Sequence, residues 1–306
     1  MVNSLDDDKA QDVVVIELSG KSDVADYLVI ASGTSGRQVV VIAEHLRERL
    51  KHAGLTGVNA EGVSHMELAG GLPPGKAIAQ LKDAGAKVIC FAPALVLAKR
   101  LVRSGADALV IEGSEAGGHI GPVSTSVLVQ EILPHITDVP VFVAGGIGRG
   151  ETIVSYLELG AAGVQLGTRL VCATECIAHE NFKKAFIRGS ARDAVPTVQI
   201  DPRFPVIPVR AITNKGTEEF MATQRRMIEK VDAGELEQAE AQLQIEHYWA
   251  GALRRAVIDG DVEGGSLMAG QIVGTVKSEQ PMAEIFAELL GQAADAIRVR
   301  QDISNS

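Results

Sequence analysis

Three glycine-rich segments carry the residue types best suited to chemistry. The first is Glu112-Gly113-Ser114-Glu115-Ala116-Gly117-Gly118-His119-Ile120-Gly121. Its glycines let backbone amides approach a ligand, and His119 is its only group that titrates near neutrality. The second is Val143-Ala144-Gly145-Gly146-Ile147-Gly148-Arg149-Gly150, and the third is Gln165-Leu166-Gly167-Thr168-Arg169. Loops of small residues ahead of helix N-termini form cradles of N–H groups for anions, and Thr168 adds a hydroxyl donor. Two such loops on successive strands make a phosphate grip of the kind found at the end of a (β/α) barrel. Each signal has a plainer alternative, since Gly-Gly pairs serve ordinary turns and His119 could be a solvated loop histidine. Their ordered combination favours a site.

Other patterns carry less. Gly70-Gly71-Leu72-Pro73-Pro74-Gly75-Lys76-Ala77 matches a nucleotide-binding spacing, but Ala77 stands where a magnesium-binding hydroxyl is required and two prolines remove amides. The Gly145–Gly150 cluster does not fit G-x-G-x-x-G. Cys172 and Cys176 lie four apart with no second ligand pair nearby, so no metal site is expected. His247 reads as a helix residue, and His45 and His52 as surface helix positions.

The elements that must position these segments follow from the rhythm of the chain. From about Met66 onward, helices alternate with short aliphatic runs: helix 75–84 with strand 87–92, helix 96–102 with strand 108–112, helix 126–132 with strand 139–144, and helix 152–159 with strand 163–166. Continuous aliphatic strands at this spacing imply a parallel sheet buried on both faces, with right-handed crossovers. The three chemical segments then fall at the carboxyl ends of strands, where such folds bind ligands. Past Pro196 the alternation stops, and helices are expected over 218–231, 236–258 and 281–298 as a cap or tail spanning about 210–300. The first 62 residues read as a small β-β-α unit, with strands 13–18 and 27–33 and a helix from a Ser35/Gln38 capping box to Gly54.

Composition bounds the rest. The chain has 306 residues, 46% apolar, 22% charged and 4% aromatic, with 29 Lys+Arg against 39 Asp+Glu for a net charge of −10. Such a balance describes a folded, aliphatic-rich protein and disfavours broad binding to nucleic acid or anionic membrane. Three scattered cysteines read as reduced core thiols. The acidic start Met1-Val2-Asn3-Ser4-Leu5-Asp6-Asp7-Asp8 lacks the apolar run of a signal peptide, and no apolar run reaches 18 residues, so the cytoplasm is the expected location.

From about Glu67 to about Arg300 these residues resemble the nitronate monooxygenases, formerly 2-nitropropane dioxygenases, and related flavin-dependent enoyl-acyl carrier protein reductases. The resemblance rests on the three segments and on Ala269-Gly270-Gln271-x-x-Gly274. It implies an FMN-bound (β/α)8 TIM barrel. Gly145, Gly146, Gly167 and Thr168 would hold the FMN phosphate, and Glu112, Gly117 and Gln165 would lie nearer the flavin, with Leu166 in the same binding set. His119 matches the family's active-site histidine, a base or a substrate-orienting group. The reaction implied is oxidation of an alkyl nitronate by flavin and oxygen, or hydride transfer from NAD(P)H through the flavin.

Residues 4–62 instead resemble the start of the ribosomal silencing factor (Iojap-like) family, through Asp8-Lys9-Ala10-x-Asp12-Val13-Val14-Val15, Gly20-Lys21-Ser22-x-x-Ala25-Asp26-Tyr27 and Ile30-Ala31-Ser32-Gly33-Thr34-Ser35-x-Arg37-Gln38. That resemblance implies a large ribosomal subunit as partner. The expectation is a fusion: a truncated silencing-factor-like segment over 1–64, then an incomplete TIM-barrel-like body with a helical tail over 65–306, lacking the family's first strands. An incomplete barrel leaves edge strands bare, to be covered by the N-terminal strands or by a second copy in a homodimer.

Overall fold

A computed structural model describes residues 11–17, 27–32, 45, 65–68, 75–83, 86–206, 208–248 and 251–304. The chain divides into two compact units, Met1–Glu67 with Lys76–Val88, and Leu68–Gly75 with Ile89–Ser306.

In the smaller unit, β1 (Gln11–Glu17) and β2 (Tyr27–Ser32) pair antiparallel, with Val14 opposite Ile30 and Val15 opposite Val29. The helix expected to follow lies outside the described residues apart from His45, which is helical. β3 (His65–Leu68) and α1 (Gly75–Asp83) come next in the chain.

The larger unit is built on parallel strands. β4 (Lys87–Phe91), β5 (Ala108–Glu112), β7 (Val141–Ala144) and β8 (Gly163–Gln165) are neighbours in that order. Between them run α2 (Leu95–Arg103), α3 (Thr125–Ile132) and α4 (Gly150–Glu158). The alternation read from the sequence is therefore present, and its α/β class with it. Leu109, Val110, Ile111, Val141 and Val143 are all buried, because helices or other elements cover both faces of the sheet. Each helix turns an apolar stripe inward: Ala98 and Leu101 on α2, and Leu128, Val129 and Ile132 on α3.

A second, antiparallel sheet was not legible in the sequence. β10 (Val209–Ile212) pairs with β9 (Ala194–Pro196), β6 (Gly118–His119) and β11 (Leu267–Met268). Strands of two to four residues are too short to show a period. Beneath it, α5 (Glu180–Arg188) contributes Phe182 and Phe186 to a core with Cys172, Ile212, Leu267 and Val273.

The helical tail comprises α6 (Lys215–Asp232), α7 (Gln238–Tyr248), α8 (Ala252–Val257) and α9 (Met282–Ser304). Asn214 caps α6, its Oδ1 accepting from Thr217 N at 3.0 Å. α6 and α7 enclose Phe204, Phe220, Met227, Ala241 and Ile245. The single helix expected over 236–258 is instead two. Gly251 sits at φ 72°, a left-handed residue that no helix can run through.

Burial pushes the thiols of Cys90 and Cys172 up to about 11. Acidic neighbours, Asp107 for Cys90 and Glu279 for Cys172, add smaller pushes in the same direction. A thiol held neutral in the folded state contributes stability that is complete below its unfolded pKa and is lost as pH rises through the folded one. Stability from urea melts should therefore fall between about pH 9 and 11, more steeply than in a Cys90→Ala/Cys172→Ala variant. Parallel curves for the two proteins would remove the thiols from the account.

Candidate functional site

The parallel register aligns the ends of three strands. Glu112 of β5 is opposite Ala144 of β7, and Ala144 is opposite Gln165 of β8. This row opens into a cleft of about 240 Å3. Glu112, Gly117, Gln165 and Thr168 line it, as do Gly145, Gly146 and Gly167. Seven of the nine residues singled out from sequence thus surround one space.

The other two lie elsewhere. Leu166 packs away from the cleft, against Ala173, Ile285 and Leu289. Leu166 lies just past the end of β8 at Gln165. His119 is exposed on β6, opposite Val209, one residue past the cleft-lining Gly118.

The loop after β7 has backbone geometry that excludes most side chains. Gly145 and Gly146 take φ of 88° and 72°, the left-handed region open to glycine. Among the described residues, the N–H groups of Gly146, Ile147, Gly167 and Thr168 find no protein acceptor. Backbone amides left in that condition are matched by water or by ligand. Thr168 Oγ1 accepts from Gly270 N at 2.9 Å, which leaves its own hydrogen to donate elsewhere. None of the described lining residues is a cation. An anion here would be held by N–H dipoles and a hydroxyl, as in other backbone cradles.

Charged residues of the motifs work behind the cleft. Arg169 is buried and points away, its Nη2 donating to Glu288 Oε2 at 2.8 Å and Gln280 Oε1 at 3.1 Å. Glu115 Oε2 accepts from Thr125 N at 2.8 Å and Thr125 Oγ1 at 3.0 Å, a carboxylate placed at the positive end of α3. Arg210 on β10 is buried, and loss of solvent lowers its pKa. Its Nε donates to Ser114 O at 2.8 Å and its Nη1 to Ala194 O at 2.5 Å, pinning the glycine-rich loop to the antiparallel sheet.

Sequence reasoning assigned no role to Met268, Gly270 and Ile272, which close the cleft from the tail. The signal that pointed there was Ala269-Gly270-Gln271, noted only as a resemblance. Gln271 N donates to Glu115 O at 2.9 Å, tying this segment to the β5 loop. The described residues contain no cluster suited to a metal ion, and no described helix is long and apolar enough to cross a membrane.

A family model for nitronate monooxygenase matches residues 26–292, beginning inside the segment that resembles silencing factors. The nitronate monooxygenase of Paraburkholderia phytofirmans is 29% identical over 243 residues, which are 77% of this chain and 62% of that protein. A (3aS,4S,5R,7aS)-5-hydroxy-7a-methyl-1-oxo-octahydro-1H-indene-4-carboxyl-CoA dehydrogenase of Mycobacterium tuberculosis is 36% identical over 131 residues, 42% of this chain and 37% of that protein. The chain thus spans less than two thirds of the length of either relative. Among solved structures, FabK from Thermotoga maritima superposes with a TM-score of 0.69 and 30% identity, over 87% of this chain and 75% of that one. A nitroalkane oxidase from Streptomyces ansochromogenes gives 0.59 and 25%, over 78% and 66%.

Proposed function

The chain belongs to the nitronate monooxygenase family, a flavin-dependent family of oxidoreductases, and from that membership we propose that it binds FMN and oxidises alkyl nitronates with oxygen. The observation that carries the reading is the set of amides without acceptors among the described residues, on Gly146, Ile147, Gly167 and Thr168, which all line one cleft at the ends of β7 and β8. That donor set suits a phosphate: small residues, N–H dipoles and one hydroxyl, with nothing bulkier than glycine at Gly145, Gly146 and Gly167.

In this reading the two loops hold the phosphate, with Thr168 donating its hydroxyl hydrogen. Glu112, Gly117 and Gln165 lie toward the ring system. When bound, the flavin would supply the two-electron chemistry, while the chain's residues orient the substrate and exclude water. His119, exposed beside Gly118, is the candidate base or orienting group on the substrate side. In the same reading the barrel-like body begins at residue 65, and residues 4–62 would serve a ribosomal role. Co-sedimentation with large ribosomal subunits tests the last.

The test of the main reading is spectral. Purified protein, with FMN added and excess removed, should retain flavin absorbance and consume oxygen with an alkyl nitronate. A protein without flavin bands after such loading would sink the proposal. Anaerobic mixing with NADPH separates the two donors, because a nitronate oxidase needs no bleaching by the nicotinamide.

His119→Ala should retain its flavin yet lose about a hundredfold in kcat, within the usual range for a general base. Flavin content and rate falling together would make the residue structural.

A further inference from the structure

The two amide loops are joined behind the cleft through one helix. Arg169 follows directly on Thr168, and its Nη2 donates to Glu288 Oε2 at 2.8 Å. The other oxygen of that carboxylate, Oε1, accepts from Gln292 Nε2 at 3.0 Å. Gln292 Oε1 then accepts from Gly150 N at 2.9 Å, at the first turn of α4. Glu288 and Gln292 are one turn apart on α9, so a single helix face reaches both loops.

This chain of bonds does more than dock a helix. The apolar residues Ile285 and Leu289 already fasten α9 to the body. Arg149, at the cap position of α4, supplies no side-chain acceptor for the helix amides, so Gln292 takes that part from across the fold. With Gly150 N engaged, the donors left for a ligand on this loop lie upstream, Gly146 N and Ile147 N among them. At the other end the Arg169 guanidinium is buried, with its position set by Glu288 and Gln280.

We propose that Glu288 and Gln292 are positioning residues, which hold the β7 and β8 amide loops at the separation a phosphate group spans, through the relay Arg169–Glu288–Gln292–Gly150. The proposal rests on reading these loops as the flavin phosphate site. It adds that affinity for the phosphate is set from α9, by residues that never touch the ligand.

The test uses the full chain and two ligands, FMN and riboflavin, which differ only in the phosphate. Gln292→Met keeps length and apolar contact but removes the acceptor for Gly150 N. In flavin-free protein, hydrogen exchange at Gly150 should quicken about tenfold, the effect of losing one hydrogen bond. FMN affinity should fall about tenfold, while riboflavin affinity changes by less than about twofold. Glu288→Gln should weaken FMN in the same selective way, and the double variant should fall no further than Gln292→Met alone, as members of one network do.

Unchanged exchange at Gly150, equal loss of FMN and riboflavin, or additive effects of the two substitutions would each overturn the relay. A wild-type protein that binds FMN no better than riboflavin would instead refute the phosphate site, and the exchange result would still decide whether Gln292 holds α4.

Discussion

A leucine at Gly167 should leave the protein folded and strip it of FMN. A Cβ at this position meets nothing within 4 Å, and the residue is exposed where it lines the cleft. Its φ of −112° is not in the left-handed region that favours glycine. No neighbouring atom therefore opposes the added side chain. The ligand does, since the side chain would occupy the mouth of the amide cradle between Gly146 and Thr168. FMN affinity should drop by about a hundredfold, ~2.7 kcal/mol, with the thermal midpoint moving by only a few degrees. A leucine variant that still binds FMN with wild-type affinity would place the phosphate somewhere else.

Alanine at Gly150 should do the reverse and damage the fold itself. A Cβ there would collide with the backbone of α9, at Leu289 O and Ala293 N, and with the Gln292 side chain. Neither backbone atom can give way without moving a helix. The two helices would have to separate, exposing Leu289 and breaking the bond from Gly150 N to Gln292. Overpacking of this kind costs about 1–3 kcal/mol in a typical core, and loss of the hydrogen bond adds about 1 kcal/mol. Urea melts should show a loss on the order of 3 kcal/mol, with α9 amides losing protection. A fully stable alanine variant would mean that α4 and α9 do not meet as described.

The contrast between these two glycines marks what a sequence can and cannot express. Both sit in motifs that read as anion loops. Nothing in the letters says that one faces open space and the other faces a helix more than 130 residues away. The parallel strands are legible because each is an unbroken aliphatic run at a regular interval. The residues at their carboxyl ends, Glu112, Gly145 and Gln165 among them, then follow from a general property of parallel α/β folds.

Other features leave weaker traces. β6 and β11 are two residues each, and their pairing with β10 depends on which distant segments meet, not on local pattern. The inward placement of Met268 and Ile272 follows from that pairing. Arg169 directly follows Thr168 in the third glycine-rich segment. It is buried facing Glu288 because the 310 turn over Thr168–Leu170 rotates it from the cleft.

The walls of the cleft are far apart in the chain, from Glu112 to Ile272. During synthesis, which proceeds from the N-terminal end, the amide loops after β7 and β8 emerge well before the segment that gives Gly270 N to Thr168. A nascent polypeptide shorter than that has a half-open basin with one side still unmade. A flavin held as proposed would load only once translation has passed Ile272, and flavin supplied during refolding should accelerate no phase that precedes the arrival of that last side.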